Sequence, residues 1–199
     1  MSVAKIEKPL IGLEGHITIL DPETGEVLVR RRNAVNFENM SIAIANLLAN
    51  EVGSSGSYHI GEMRFGNGGT VIDGTGAVTY KATNTASTTG ALYNETYTQT
   101  IDEVVSGSAD NSTEVTHTSG NLYSDVVSTC TLDYNVPVGQ DTFDNSTNMN
   151  GDYVFDELAL YTANGDMLTH VIFHPVQKSA NRKIQVVYTL RVRTSYSEV

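Results

Sequence analysis

Residues 183–193, KIQVVYTLRVR, place Ile184, Val186, Tyr188, Leu190 and Val192 on one set of alternate positions. Lys183, Gln185, Thr189, Arg191 and Arg193 fall on the other set. Extended backbone sends successive side chains to opposite sides, so this is a strand with one dry and one wet face. Such a strand needs a sheet around it and a second layer over its apolar face. The requirement recurs at 125–136, where Val126, Cys130, Leu132, Tyr134 and Val136 alternate with Asp125, Thr129, Thr131 and Asp133. Two more strand-like runs, YVFDELALYT and MLTHVIFHPV, flank Asn164-Gly165, a dipeptide suited to the positive φ angles of a tight hairpin. The expected fold is mainly β: an antiparallel β-sandwich in a single domain spanning 1–199, with one helix near the N-terminus.

Composition supports this. Of the 199 residues, 40% are hydrophobic and only 18% charged, and the remainder is rich in Ser, Thr, Asn and Gly. That mixture suits short strands joined by many turns better than it suits helices. Residues 13–32 read as a hairpin around Asp21-Pro22-Glu23-Thr24-Gly25, with Pro22 presetting φ and Gly25 supplying a positive one. The period then changes: Phe37, Met40, Ile44, Leu47 and Leu48 recur at helical spacing after Asn36, a candidate N-cap, and Gly53 with the GSSGS run marks the end. Residues 83–121 are mostly small and polar, with scattered anchors at Leu92, Tyr93, Tyr97 and Ile101. So little apolar area does not offset the ordering of its own backbone. This stretch reads as a long polar arm or hairpin insertion ordered against neighbours, or as a mobile surface loop, and its removal is expected to leave the fold intact.

Several patterns invite a chemical reading. MRFGNGGT carries Gly66, Gly68 and Gly69 after a short apolar run, as an anion-cradling loop does. No Gly-Lys-Ser/Thr and no helix follow, so a turn or bulge is expected and phosphate is not. His170 and His174 form H-x-x-x-H, but on a strand they stand ~13 Å apart, too far to share one metal. Hydrogen-bonding or interface histidines follow, with a pH-dependent contact open to them. Asp141, Asp144 and Asp152 with Asn145, Asn148 and Asn150 offer hard oxygen ligands, without the spacing of a calcium loop. Asp156 and Glu157 are adjacent and are expected on opposite faces of their strand. Cys130, the single cysteine, lies mid-strand, where a thiol is buried and not activated. No catalytic constellation, cofactor site or metal site is read from the sequence.

The formal net charge of −11 opposes binding to nucleic acid and to anionic membranes. Arg30, Arg31 and Arg32, with Arg182, Lys183, Arg191 and Arg193, are local exceptions that suit acidic patches on a neighbouring copy or simply solvated strand ends. The first twenty residues contain no signal-like apolar stretch, and no segment has the ~18–20 apolar residues that a bilayer requires. Synthesis and folding in a reducing cytoplasm are expected.

The C-terminal third, FDELALYTANGDMLTHVIFHPVQKSANRKIQVVYTLRVR, resembles a strand pattern of tailed-bacteriophage virion proteins, and TGEVLVRRRNAVNFENMSIAIANLLAN followed by HIGEMRFGNGGT is similar to their tail and collar proteins. The resemblance implies a non-enzymatic structural subunit of the tail, baseplate or neck. It also implies homo-oligomeric rings or arrays, with copies of itself and other virion proteins as partners. Glu157, Leu158, Leu160 and Tyr161 would support the sandwich, and Lys178 and Asn181 would sit in the loop before the last strand. Interface residues are expected at Arg30, Arg31, Arg32, Leu92, Tyr93, Tyr97, Ile101, His170, His174 and Lys178. The alternatives are a capsid decoration protein and a tail-tip receptor module, the latter with Tyr58, Tyr80, Tyr93, Tyr97 and Tyr123 available as sugar platforms.

Overall fold

The computed structural model describes residues 7–101, 110–140 and 151–198, with backbone alone for 7–10 and 195–198. The N-terminal hairpin joins β1 (Glu7–Leu20) to β2 (Val27–Arg32). The Asp21 carboxylate accepts the N–H groups of Glu23 at 2.8 Å and Thr24 at 3.1 Å, and Gly25 adopts φ +74° to reverse the chain. Asn33 alone separates β2 from β3 (Ala34–Val35), and the chain changes sheets across it. Helix α1 (Phe37–Ala49) follows; the Asn36 side chain caps it by accepting Asn39 N–H at 3.2 Å. It stops at Asn50, which is left-handed at φ 54° and so ends the helix ahead of Gly53.

Strand β4 (Ile60–Gly66) runs into Asn67-Gly68-Gly69 and a small hairpin of β5 (Thr70–Ile72) and β6 (Val78–Tyr80). The loop 81–94 leads to β7 (Glu95–Thr100). After it come β8 (Asn111–Thr116), β9 (Tyr123–Leu132), β10 (Val154–Thr162), β11 (Thr169–Gln177) and β12 (Ile184–Glu198). Two five-stranded antiparallel sheets result, in the orders β2-β1-β12-β9-β8 and β3-β11-β10-β4-β7. The Asn164-Gly165 turn joins β10 to β11, with Gly165 at φ +96°.

Facing rows fill the space between the sheets. Ile17, Ile19, Cys130, Leu132, Val186 and Tyr188 from one sheet meet Met63, Phe65, Leu158, Leu160, Val171 and Phe173 from the other. Phe65 and Phe155 lie with ring centroids 4.9 Å apart. A smaller cluster seats Met40 and Ala43 of α1 on Val35, Leu168 and Leu190. A third, of Leu92, Ala159, Tyr161 and Met167, lies on the far side of the second sheet, where the loop 81–94 covers it. Consequently every residue of β10 is buried: one face meets the sandwich core and the other meets the loop.

Three expectations change. The described parts of 83–121 lean on their own chain: β7 pairs with β4 in one sheet and β8 pairs with β9 in the other, so this stretch supplies an edge strand to each layer. Of the apolar helical residues, Met40 and Ile44 meet the core, whereas Phe37 and Leu48 point outward. The inner face is instead polar at Asn39, whose amide donates to Thr88 O at 3.1 Å and Met167 O at 3.0 Å. Strand β9 ends at Leu132, because Asp133, Tyr134 and Asn135 form a turn with Asn135 at φ 56°, leaving Tyr134 41% exposed.

Candidate functional site

Asp156 and Glu157 lie side by side in β10, and both are buried, at 3% and 0% exposure. Strict alternation would send them to opposite faces. The ladder between β10 and β11 instead slips between Phe155 and Glu157: Phe155 pairs with Val176 and Glu157 with Ile172, so Phe173, His174 and Pro175 stand opposite Asp156 alone. Pro175 has no N–H to give, which favours an irregularity of this kind. Phe155 and Leu158 thus both reach the core, and the two carboxylates between them meet the polypeptide that covers the sheet.

What they meet is the glycine loop. Gly68 N–H donates to Glu157 Oε1 at 3.1 Å, Gly69 N–H to Asp156 Oδ1 at 2.8 Å, and Thr70 N–H to Asp156 Oδ2 at 2.8 Å. The Thr70 hydroxyl donates to Asp156 Oδ2 at 2.5 Å. Successive N–H groups converging on an anion form a nest, and here the anion belongs to the same chain. The glycines are required by close approach. A Cβ at Gly66 would fall 2.5 Å from Asn94 O, and one at Gly68 would fall 2.8 Å from Asn94 N.

Glu157 also gathers the covering loop. It accepts Tyr93 N–H at 3.0 Å on Oε2 and Asn94 N–H at 2.8 Å on Oε1. His170 Nε2 is 3.1 Å from Oε2, and His170 Nδ1 accepts Asn84 N–H at 2.9 Å. The backbone donor on Nδ1 fixes the tautomer: the ring proton sits on Nε2 and points at Glu157. Burial works against the Glu157 charge, but the His170 hydrogen bond and the Tyr93 and Asn94 amides together hold its carboxyl below the ordinary glutamate value. Asp156 moves the other way, because burial outweighs its Thr70 and Gly69 bonds. The pair therefore divides: Glu157 is held below its ordinary value and Asp156 above its own.

This constellation can clamp the glycine loop and the covering loop onto β10. Both nitrogens of His170 are engaged, Nδ1 by a main-chain amide where an attacking hydroxyl would have to stand. Each carboxylate accepts from donors of its own chain. His174 is exposed and lies 3.4 Å from Tyr80 O–H through Nδ1. Among the described residues no group of three or more His, Cys, Asp or Glu is placed to hold a metal ion. The Asp141–Asn150 part of the oxygen-rich loop lies outside the described residues.

The expected interface residues divide by burial. Leu92, Ile101, His170 and Lys178 are inside, at 8%, 0%, 0% and 1% exposure, where they contact other parts of the same chain. Lys178 does follow β11 as expected, with Nζ 2.9 Å from Ser179 O and 3.1 Å from Gln140 Oε1. Arg30, Arg31 and Arg32 are exposed along β2, and Tyr97 is half-buried against Phe65. Tyr93, 43% exposed, has Lys81 Nζ over its ring at 4.4 Å. Arg31 lies over Tyr80, and Arg191 and Arg193 over Tyr123, so one face of each of these aromatic platforms is taken by a cation of the same chain. Sequence reasoning missed the carboxylate nest because its two halves are 89 residues apart. Compared with family models, characterised proteins and solved structures, the chain has no match.

Proposed function

We propose that this chain is a non-catalytic structural subunit of a tailed-bacteriophage particle, packing with copies of itself and with other virion proteins in rings or arrays of the tail, baseplate or neck. The observation that carries the reading is the outer stripe of α1. Phe37 is 68% exposed and Leu48 85%, with Val52 just beyond the helix at 71%. Phe37, Ser41, Ala45 and Leu48 share one helical face, opposite the buried Asn39, Met40 and Ala43. Phe37 and Leu48 thus stand in the open at the two ends of that face, with Ser41 and Ala45 between them, and exposed large apolar side chains gathered on one element support a surface that another protein covers. The resemblance of the two terminal portions to virion proteins supplies the setting. The polar centre supports the same reading, since Asp156, Glu157 and His170 are spent on holding the chain together.

The test is to label the chain and count it on purified particles. A fixed stoichiometry at the tail, baseplate or neck is the expected result. A scattering of copies at the tail tip alone would favour a receptor-binding module, and hundreds on the head a decoration protein. Absence from particles would overturn the reading.

A further inference from the structure

Two side chains of different chemistry hold the loop 81–94 to the second sheet. Toward its end, Glu157 accepts the N–H groups of Tyr93 and Asn94. Nearer its start, His170 Nδ1 accepts Asn84 N–H at 2.9 Å. Lys81 N–H reaches Gly69 O at 2.9 Å, and Ser87 O and Thr88 O take the side-chain amides of Asn36 and Asn39. Asn84 is thus the midpoint of the span 82–86 and, among the described residues, its hydrogen-bonded tie to the sheet. Within the loop, Asn84 Nδ2 donates to Ala91 O at 3.1 Å and Tyr93 O–H to Ala82 O at 2.7 Å. Thr85, next in the span, lines a cleft of about 540 Å³ together with Ala34, Val35 and Phe37.

Acid acts differently on the two ties. An imidazole accepts a hydrogen bond only through a nitrogen that carries no proton. With Nε2–H directed at Glu157, the lone pair on Nδ1 holds Asn84, and a second proton can enter the ring only there. Once it does, two N–H donors face each other across 2.9 Å and one must leave. The Glu157 carboxylate, 3.1 Å from Nε2, favours the charged ring, so the imidazolium stays and the Asn84 amide gives way. Glu157 is held below its ordinary value and is still charged where a histidine ordinarily takes its second proton. The other ionisable groups around the ring come from four elements. Asp156 of β10 accepts from Gly69 and Thr70 instead. The loop brings Tyr93, its ring centroid 5.9 Å from that of His170, with Lys81 over it. On β11 itself His174 is exposed beside Tyr80, over which Arg31 of β2 lies. Strand β3 sets Ala34 opposite His170, and on α1 the carboxylate nearest the cap, Glu38, is exposed.

We propose that the span 82–86 is an acid-released latch: protonation of His170 at Nδ1 lets go of Asn84, while Glu157 keeps Tyr93 and Asn94 in place. This goes beyond the proposed function and does not depend on it. The open form binds one proton more than the closed form, so the ratio of open to closed rises by up to about tenfold per pH unit while the ring titrates. The bonds to Ala91 O and from Tyr93 O–H keep the released span tethered to the half of the loop that stays. Its movement carries Thr85 away from the cleft it lines with Ala34, Val35 and Phe37, and so widens that cleft beside the start of α1.

The experiment is amide hydrogen exchange of the full chain, resolved by residue with NMR between about pH 8 and 5, the range in which histidine changes charge. Each rate is divided into that of an unstructured peptide at the same pH, which removes the pH dependence of exchange itself. The protection of Asn84 N–H is expected to fall roughly tenfold or more across this range, while that of Tyr93 and Asn94 holds within about twofold. The ring nitrogens of His170 are followed in the same samples: Nδ1 should lack a proton at neutral pH and gain one over the interval in which Asn84 loses protection. His170→Asn leaves an oxygen near the place of Nδ1 and removes the titration, so protection of Asn84 should then stay level with pH. Asn84 protection that is constant, or that falls only together with Tyr93 and Asn94, would overturn the latch. So would a neutral ring with its proton on Nδ1, or a fall that persists in the variant; should the variant not fold, the two wild-type measurements decide alone.

Discussion

At the residue scale, the Glu157 carboxylate is where the fold can be tested most sharply. Glu157→Gln keeps the shape but turns one acceptor oxygen into a donor, set against N–H groups from Tyr93, Asn94, Gly68 and His170. A loss of ~2–4 kcal/mol at neutral pH is expected from unfolding in urea. The folded carboxyl is depressed, so its contribution is complete above the unfolded glutamate value of about 4.3 and fades as pH falls through the lower folded value. The gap between wild type and variant should therefore narrow on acidification; a gap that stays constant down to strongly acid solution would contradict the assignment. A second pair of variants separates close approach from mere loop position. Gly68→Ala would set a Cβ 2.8 Å from Asn94 N and should cost ~1–3 kcal/mol, whereas Gly74, with nothing within 4 Å of such a Cβ, should tolerate alanine within about 0.5 kcal/mol.

At the element scale, the covering loop 81–94 is an integral layer of the sandwich. Asn36 ties it to α1, capping Asn39 N–H with its oxygen and donating Nδ2 to Ser87 O of the loop at 2.8 Å. Asn36→Ala is expected to lower stability by about 1–2 kcal/mol, read as a lower urea midpoint with an unchanged slope. Removing 83–121 is expected to abolish cooperative unfolding, because β7, β8 and the cover of β10 go with it. Circular dichroism of the shortened chain, showing or lacking a two-state transition, decides this. Much at this scale was legible beforehand. Asp21 and Gly25, Asn164-Gly165, the Asn36 cap and the alternation in β9 and β12 are local signals, and local signals survive without knowledge of partners. The slip that puts Asp156 and Glu157 on one face was not legible. It depends on three residues of β11 standing opposite one of β10, and neither strand announces that pairing alone. The glycine loop was half legible: its small residues mark a tight turn, while the carboxylates it receives come from a strand far along the chain.

For the whole molecule, the two sheets are joined at Asn33, where the chain passes from β2 to β3, and again because the consecutive strands β7 and β8 pair in different sheets. Such joints make concerted unfolding the expected behaviour. Cys130 offers a way to watch it. Its side chain is 0% exposed in the middle of β9, and burial raises the thiol well above its ordinary value. An alkylating reagent will then modify a chain only while the layers are parted, so the rate of iodoacetamide capture becomes an intrinsic clock for how often this protein breathes, with no probe to introduce.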